Sequence, residues 1–118
     1  MTSPRCDPHA FFEAIGRDPA ALASTLELFR TEGTAQCARI VSAVRTRSRR
    51  QLREALHAFA GSLAIVRAKS ALDLCEILRR RADDDGAALE LAALELEREF
   101  ERVCEELSPF VARGRAAA

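Results

Sequence analysis

The side chains of this chain best suited to acid–base, metal or covalent chemistry are two histidines and four cysteines. His57 stands apart by its surroundings, the run Leu56-His57-Ala58-Phe59-Ala60-Gly61-Ser62. With residues turned by about 100° around a helix, Leu52, Leu56, Phe59, Leu63 and Val66 share one apolar stripe. His57 points roughly 140° away from the centre of that stripe, toward water. On the same face, Gly61 and Ala64 follow one and two turns on and are nearly bare, while Arg50 and Arg53 occupy the turns before. An exposed imidazole on a rigid helix, with neighbours small enough for another protein to come close, is suited to chemistry in a complex. Neutral imidazole is a good nucleophile near physiological pH.

The remaining candidates read as structural. His9 falls in the first turn of the first helix and is expected to be a solvated surface residue. Cys6, Cys37, Cys75 and Cys104 include no pair at the two-residue spacing typical of zinc sites. Cys37, Cys75 and Cys104 lie beside apolar residues at helical spacing, as free cysteine does when it packs as a small hydrophobe. There is no glycine-rich phosphate loop and no Ser-His-Asp order, so neither a metal nor a bound cofactor is expected.

The elements that must position His57 are helices. Tryptophan and tyrosine are absent and the β-branched residues are scattered, while Ala, Leu, Arg and Glu dominate. Asp7-Pro8 and Asp18-Pro19 each supply an N-cap followed by proline at the first helical position. The first opens a short helix through about Ile15, carrying Phe11 and Phe12. The second opens a long helix with Leu22, Leu26, Phe29, Cys37, Ile40 and Val44 on one side, and Gly33 weakens its middle and marks a candidate bend. Ser48 with Gln51 fits a capping box that starts the helix of His57.

A turn near Val66 and Arg67 leads to a fourth helix with Ala68, Ala71, Leu72, Cys75 and Leu78. After the break Asp83-Asp84-Asp85-Gly86, the last helix shows Leu89, Ala93, Leu96, Phe100, Val103 and Leu107 in alternating steps of four and three. Pro109 is expected to end or interrupt it, and Arg113-Gly114-Arg115 with its three alanines to fray. The expected fold is all-α. It is an antiparallel four-helix bundle with a short additional N-terminal helix across one end, one domain over residues 1–118 with short disordered tails.

Eighteen basic and eighteen acidic residues give zero net charge, with no general pull toward nucleic acid or anionic membrane. The longest uncharged run, Ala55 to Val66, is too short to span a bilayer, and no secretory signal is visible. A cytoplasmic protein is expected. Arg45, Arg47, Arg49, Arg50 and Arg53 resemble a nucleic-acid footprint, but no aromatic residues interleave with them. Glu90, Glu95, Glu97, Glu99, Glu101, Glu105 and Glu106 in the last helix are expected to balance them.

The run from His57 to Ser62, followed by Ala68 and then Leu72 and Cys75, resembles the histidine phosphotransfer (HPt) domains of bacterial multistep phosphorelays. Their motif reads H-x-L-K-G-S, then a Gly-Ala pair, then a Leu and a Cys in the next helix. The resemblance implies that His57 is the phosphoryl acceptor, that Gly61 leaves room for a receiver domain's active site, and that Phe59 is the buried hydrophobe between them. Two positions depart from the pattern. Ala60 stands where the family usually has lysine, and Arg67 where it often has glycine. A left-handed arginine would cost on the order of 1–2 kcal/mol, so the turn at Arg67 is expected to be built differently.

The implied mechanism is attack of His57 on the aspartyl phosphate of a receiver, then transfer to a second receiver's aspartate. Arg50, Arg53, Ala60, Gly61 and Ala64 would form the docking face, with Arg53 supplying the positive charge that Ala60 lacks and the arginine patch steering toward an acidic receiver pocket. Magnesium is expected on the receiver. The implied partners are response-regulator receiver domains and a hybrid sensor kinase, with neither nucleic acid nor membrane. The chain would be a monomeric carrier and not an enzyme by itself. Two other readings are a docking module of the same fold that accepts no phosphate and a structural dimerising bundle.

Overall fold

The computed structural model describes residues 4–117, which form five helices and no strand: α1 (Pro8–Ala14), α2 (Pro19–Arg45), α3 (Arg49–Ile65), α4 (Lys69–Arg80) and α5 (Gly86–Ala117). Each sequence cap is used. Asp7 Oδ1 accepts from Ala10 N at 3.0 Å, and Asp18 Oδ1 from Ala20 N at 3.0 Å and Ala21 N at 3.3 Å. Pro8 and Pro19 sit in the first turns, where a missing N–H costs nothing. The box at Ser48 is half formed. Ser48 Oγ accepts from Gln51 N at 3.2 Å, but the Ser48 N–H donates to Ala43 O at 3.0 Å, so nothing is left for the Gln51 side chain to satisfy.

Helices α2 to α5 form a ring in chain order, with α5 closing back on α2 in the most extensive pairing. Short turns at 46–48, 66–68 and 81–85 make every neighbour antiparallel. The apolar stripes meet in one core. Leu26, Ile40, Phe59, Leu63, Val66, Leu78, Leu96 and Val103 are its most deeply buried large side chains. Phe100 stands at its centre, its ring 5.4 Å from both Phe29 and Phe59. Helix α1 lies at the end where α2 begins, tied by Asp7 N donating to Val66 O at 2.7 Å and by the His9 ring edge-on to Phe110 at 5.2 Å.

Three expectations are corrected here. Helix α2 runs unbroken through Gly33, which serves close packing. A β-carbon at Gly33 would collide with the buried Phe100 ring. Pro109 does not end α5, which continues to Ala117, and residues 113–117 do not fray. The turn beyond the proline is held from outside the helix ladder. Gly114 is buried against the Pro19 carbonyl and Ala23, Arg115 pairs with Glu27, and Arg113 stacks 4.5 Å above the Phe110 ring. These contacts offset the bond that Pro109 cannot donate. Of the disordered N-terminal tail expected before α1, residues 1–3 lie outside the described residues, as does Ala118 at the other end, while the described part is tied down: Arg5 N donates to the Glu106 carboxylate at 3.0 Å and Cys6 is buried.

The third correction concerns Arg67. Its φ is 54°, so the left-handed backbone that favours glycine is kept, with arginine bearing it. Ala68 N donates to Leu63 O at 3.0 Å and Arg67 N to Ala64 O at 3.1 Å, the paired bonds of a Schellman motif. The α2–α3 turn repeats this at Arg47, φ 56°. There Ser48 N donates to Ala43 O and Arg47 N to Val44 O.

Candidate functional site

Helix α3 is pinned from below. Leu56 and Leu63 are buried and Phe59, fully buried against Phe100, locks the turn that carries the imidazole. His57 itself is exposed near the middle of the helix, two turns from either end, where the backbone cannot fray. Gly61, one turn on, is exposed, and a β-carbon there would meet nothing within 4 Å. Ala64 continues the bare face, also exposed. Surroundings on this side are therefore small and open, as the sequence pattern requires.

Beside His57 runs an open groove between α3 and α4. Its α3 wall carries Arg53, Leu56, His57 and Ala60, and its α4 wall Leu72, Cys75, Glu76 and Arg79. Glu76 is tightly held. Arg79 Nε donates to its Oε2 at 2.9 Å and Arg79 Nη2 to its Oε1 at 2.6 Å, while Arg80 Nε reaches Oε1 at 3.0 Å. The hydrogen bonds from Arg79 lead in holding the carboxyl down at about 2. The Cys75 thiol is buried and pushed up to about 12 by burial, so it lines the groove as a neutral hydrophobe.

The predicted docking residues divide by their charge partners. Arg50 is spent on Glu54, Nε to Oε1 at 3.1 Å. Arg53, one turn before His57, is exposed and has no carboxylate partner among the described residues. It is thus a cation in the groove with its charge uncommitted. Ala60 is half-buried at the groove wall and Gly61 and Ala64 lie further along the same face. Glu76 and Arg79 were missed by the sequence reading. The signal was present in the short turn at 66–68, which sets α4 antiparallel to α3 and brings residues 72–79 opposite residues 60–53.

The other candidates stay structural. His9 is exposed and makes an aromatic contact with Phe110. Cys6 and Cys37 are buried and Cys104 half-buried, all free. Among the described residues no three His, Cys, Asp or Glu side chains are grouped to hold a metal ion, and no helix is long and apolar enough to cross a membrane. The arginine patch is neutralised differently from expectation. Arg45 pairs with Glu90, but Arg49 pairs with Asp83 and Arg50 with Glu54. Among the described residues Glu90 is the one α5 glutamate paired with these arginines. Glu99 instead pairs with Arg5 and Arg102.

Searches of curated proteins and of solved structures return no match to this chain. A scan against protein-family models matches the Hpt domain over residues 24–107. That span covers well over half of the chain, takes in most of the four-helix ring, and contains His57, Gly61 and both walls of the groove. An all-helical bundle of this order and a match of this extent place the protein: it belongs to the Hpt domain family.

Proposed function

We propose that this chain relays a phosphoryl group between receiver-domain aspartates through His57. Hpt domains serve phosphorelays as phosphotransfer carriers rather than as catalysts. The observation that carries the assignment of the acceptor is His57 itself, an exposed imidazole on the rigid middle of α3, with bare Gly61 beside it. A lone pair on a ring nitrogen attacks the phosphorus of an aspartyl phosphate. The N–P bond forms as the P–O bond to the aspartyl group breaks, and the electron pair leaves as carboxylate. The reverse step delivers the group to a second receiver. Positioning and charge stabilisation carry such transfers.

In this reading Arg53 supplies positive charge toward the phosphoryl oxygens, since Ala60 cannot. Arg50, Ala60, Gly61 and Ala64 belong to the surface that a receiver covers. The chain needs no cofactor of its own, and magnesium belongs to the receiver. The partners are response-regulator receivers and a hybrid sensor kinase, met in the cytoplasm by a monomer. Ala60 in the lysine position supports a second reading, a docking module that binds a receiver without accepting phosphate.

The deciding experiment is incubation with a phosphorylated receiver domain, with His57→Gln as control, followed by intact mass and by acid and base treatment. An acid-labile, base-stable phosphate that is lost in the variant is the expected result. Receiver binding without any phosphate would instead establish the docking module.

A further inference from the structure

The groove beside His57 holds a cation on each wall, Arg53 from α3 and Arg79 from α4. The antiparallel register sets the two opposite one another. Their states differ. Arg53 is exposed with no carboxylate partner among the described residues, so fixing it on an anion costs side-chain freedom. Arg79 is already ordered. Glu76 holds it through two hydrogen bonds, from Nε at 2.9 Å and from Nη2 at 2.6 Å. Those bonds occupy one edge of the guanidinium. Its Nη1 edge has no partner among the described residues. Glu54, the other carboxylate of the groove, is taken by Arg50. On the α3 wall Ala60 offers only a methyl group, which leaves the space between His57 and α4 open.

We propose that Arg79 is a phosphoryl-binding residue, supplying from α4 the positive charge that Ala60 does not supply from α3. The proposal rests on the phosphotransfer reading above and deepens it. Phosphorylated His57 would carry close to two negative charges at the edge of this groove. Guanidinium donors suit phosphoryl oxygens, and a fork that is already oriented loses less freedom when it binds them. Arg53 then meets the same group from the facing wall, and the two arginines bracket it.

The test uses the full chain phosphorylated by phosphoramidate, with no receiver present. A bond from a ring nitrogen of His57 to phosphorus forms, the P–N bond of the donor breaks, and ammonia leaves. Phosphorus NMR as a function of pH then reads the last ionisation of the phosphoryl group. An adjacent guanidinium favours the dianion and lowers that ionisation. Arg79→Ala is expected to raise it by about 0.3–0.7 of a pH unit, the scale of an exposed ion pair. Arg79→Lys should recover part of the shift. Arg80→Ala removes an equal charge outside the groove lining and should move it far less. Because Arg79→Ala also leaves Glu76 less compensated, the comparison is repeated in Glu76→Gln, where the same rise is expected. No rise in that background, or an equal rise in Arg80→Ala, would overturn the proposal while leaving the phosphotransfer reading intact. A parent chain that takes no phosphate on His57 would overturn both.

Discussion

His57 gains its reach from what its neighbours lack. Gly61 contributes no side chain to the fold, and glycine in a helix interior is about 1 kcal/mol less favourable than alanine. Gly61→Ala is therefore expected to stabilise the chain by roughly 0.5–1 kcal/mol in urea unfolding. Gly61→Gln should fold equally well yet slow transfer from a receiver on the order of 100-fold, because a small displacement of reacting groups is costly. A Gly61→Gln chain that unfolds early, or one that transfers at the parent rate, would contradict this division of roles. Arg53 gives a milder test. Its charge is solvent-screened, so Arg53→Ala should lower the transfer rate only about 2- to 5-fold, the scale of an exposed ion pair. Arg53→Lys should restore most of the loss. An unchanged rate in Arg53→Ala would remove Arg53 from the site.

At the scale of elements, helix starts and helix ends behave differently. The starts of α1, α2 and α3 are written in Asp7, Asp18 and Ser48, and the structure uses each oxygen as a cap. The ends of α2 and α3 rest on arginines in left-handed backbone, at Arg47 and Arg67. Residue preference alone points to glycine there. The paired Schellman bonds and the burial of Val66 and Ala68 set the turn after α3 instead. Each arginine is then a removable strain. Arg47→Gly and Arg67→Gly should each stabilise by roughly 0.5–1 kcal/mol, the left-handed penalty less the extra freedom glycine has when unfolded. Gly33→Ala tests the opposite case. Its methyl would strike the Phe100 ring in the core, and overpacking of this kind costs about 1–3 kcal/mol. Equilibrium unfolding of the three variants separates the cases by sign.

The same contrast explains what the residues alone reveal. Every position of the stripe through Leu52, Leu56, Phe59, Leu63 and Val66 is buried, because periodicity is a local property of one helix. The exposure of His57 follows directly from it. Glu76 and Arg79 escape such reading because their meaning depends on the register between helices. Pro109 escapes it because contacts from α1 and α2 outweigh a local rule.

The whole molecule is a rod, 47 × 29 × 19 Å, with a radius of gyration of 15.0 Å, against about 13.5 Å for an average globule of this length. Its thin core nevertheless shields the thiols. Burial leads in pushing Cys6, Cys37 and Cys75 up to about 12 and Cys104 to about 11. In the unfolded chain a thiol loses its proton near pH 8.5. Between roughly pH 9 and the native values the folded state thus holds more protons than the unfolded one, and stability falls as pH rises. Tyrosine is absent and Lys69 is the one lysine, so thiols dominate the titration in that window. Urea unfolding is expected to give a constant midpoint from pH 7 to 8 and a declining one from pH 9 to 11. Cys75→Ala should lower stability at neutral pH through the cavity it leaves, yet show a shallower decline above pH 9. Alkylation at pH 8 should be slow in the native chain and rapid in urea, since the thiolate is the reactive form. A midpoint that does not move up to pH 11 would mean that the thiols are wetter than this core makes them.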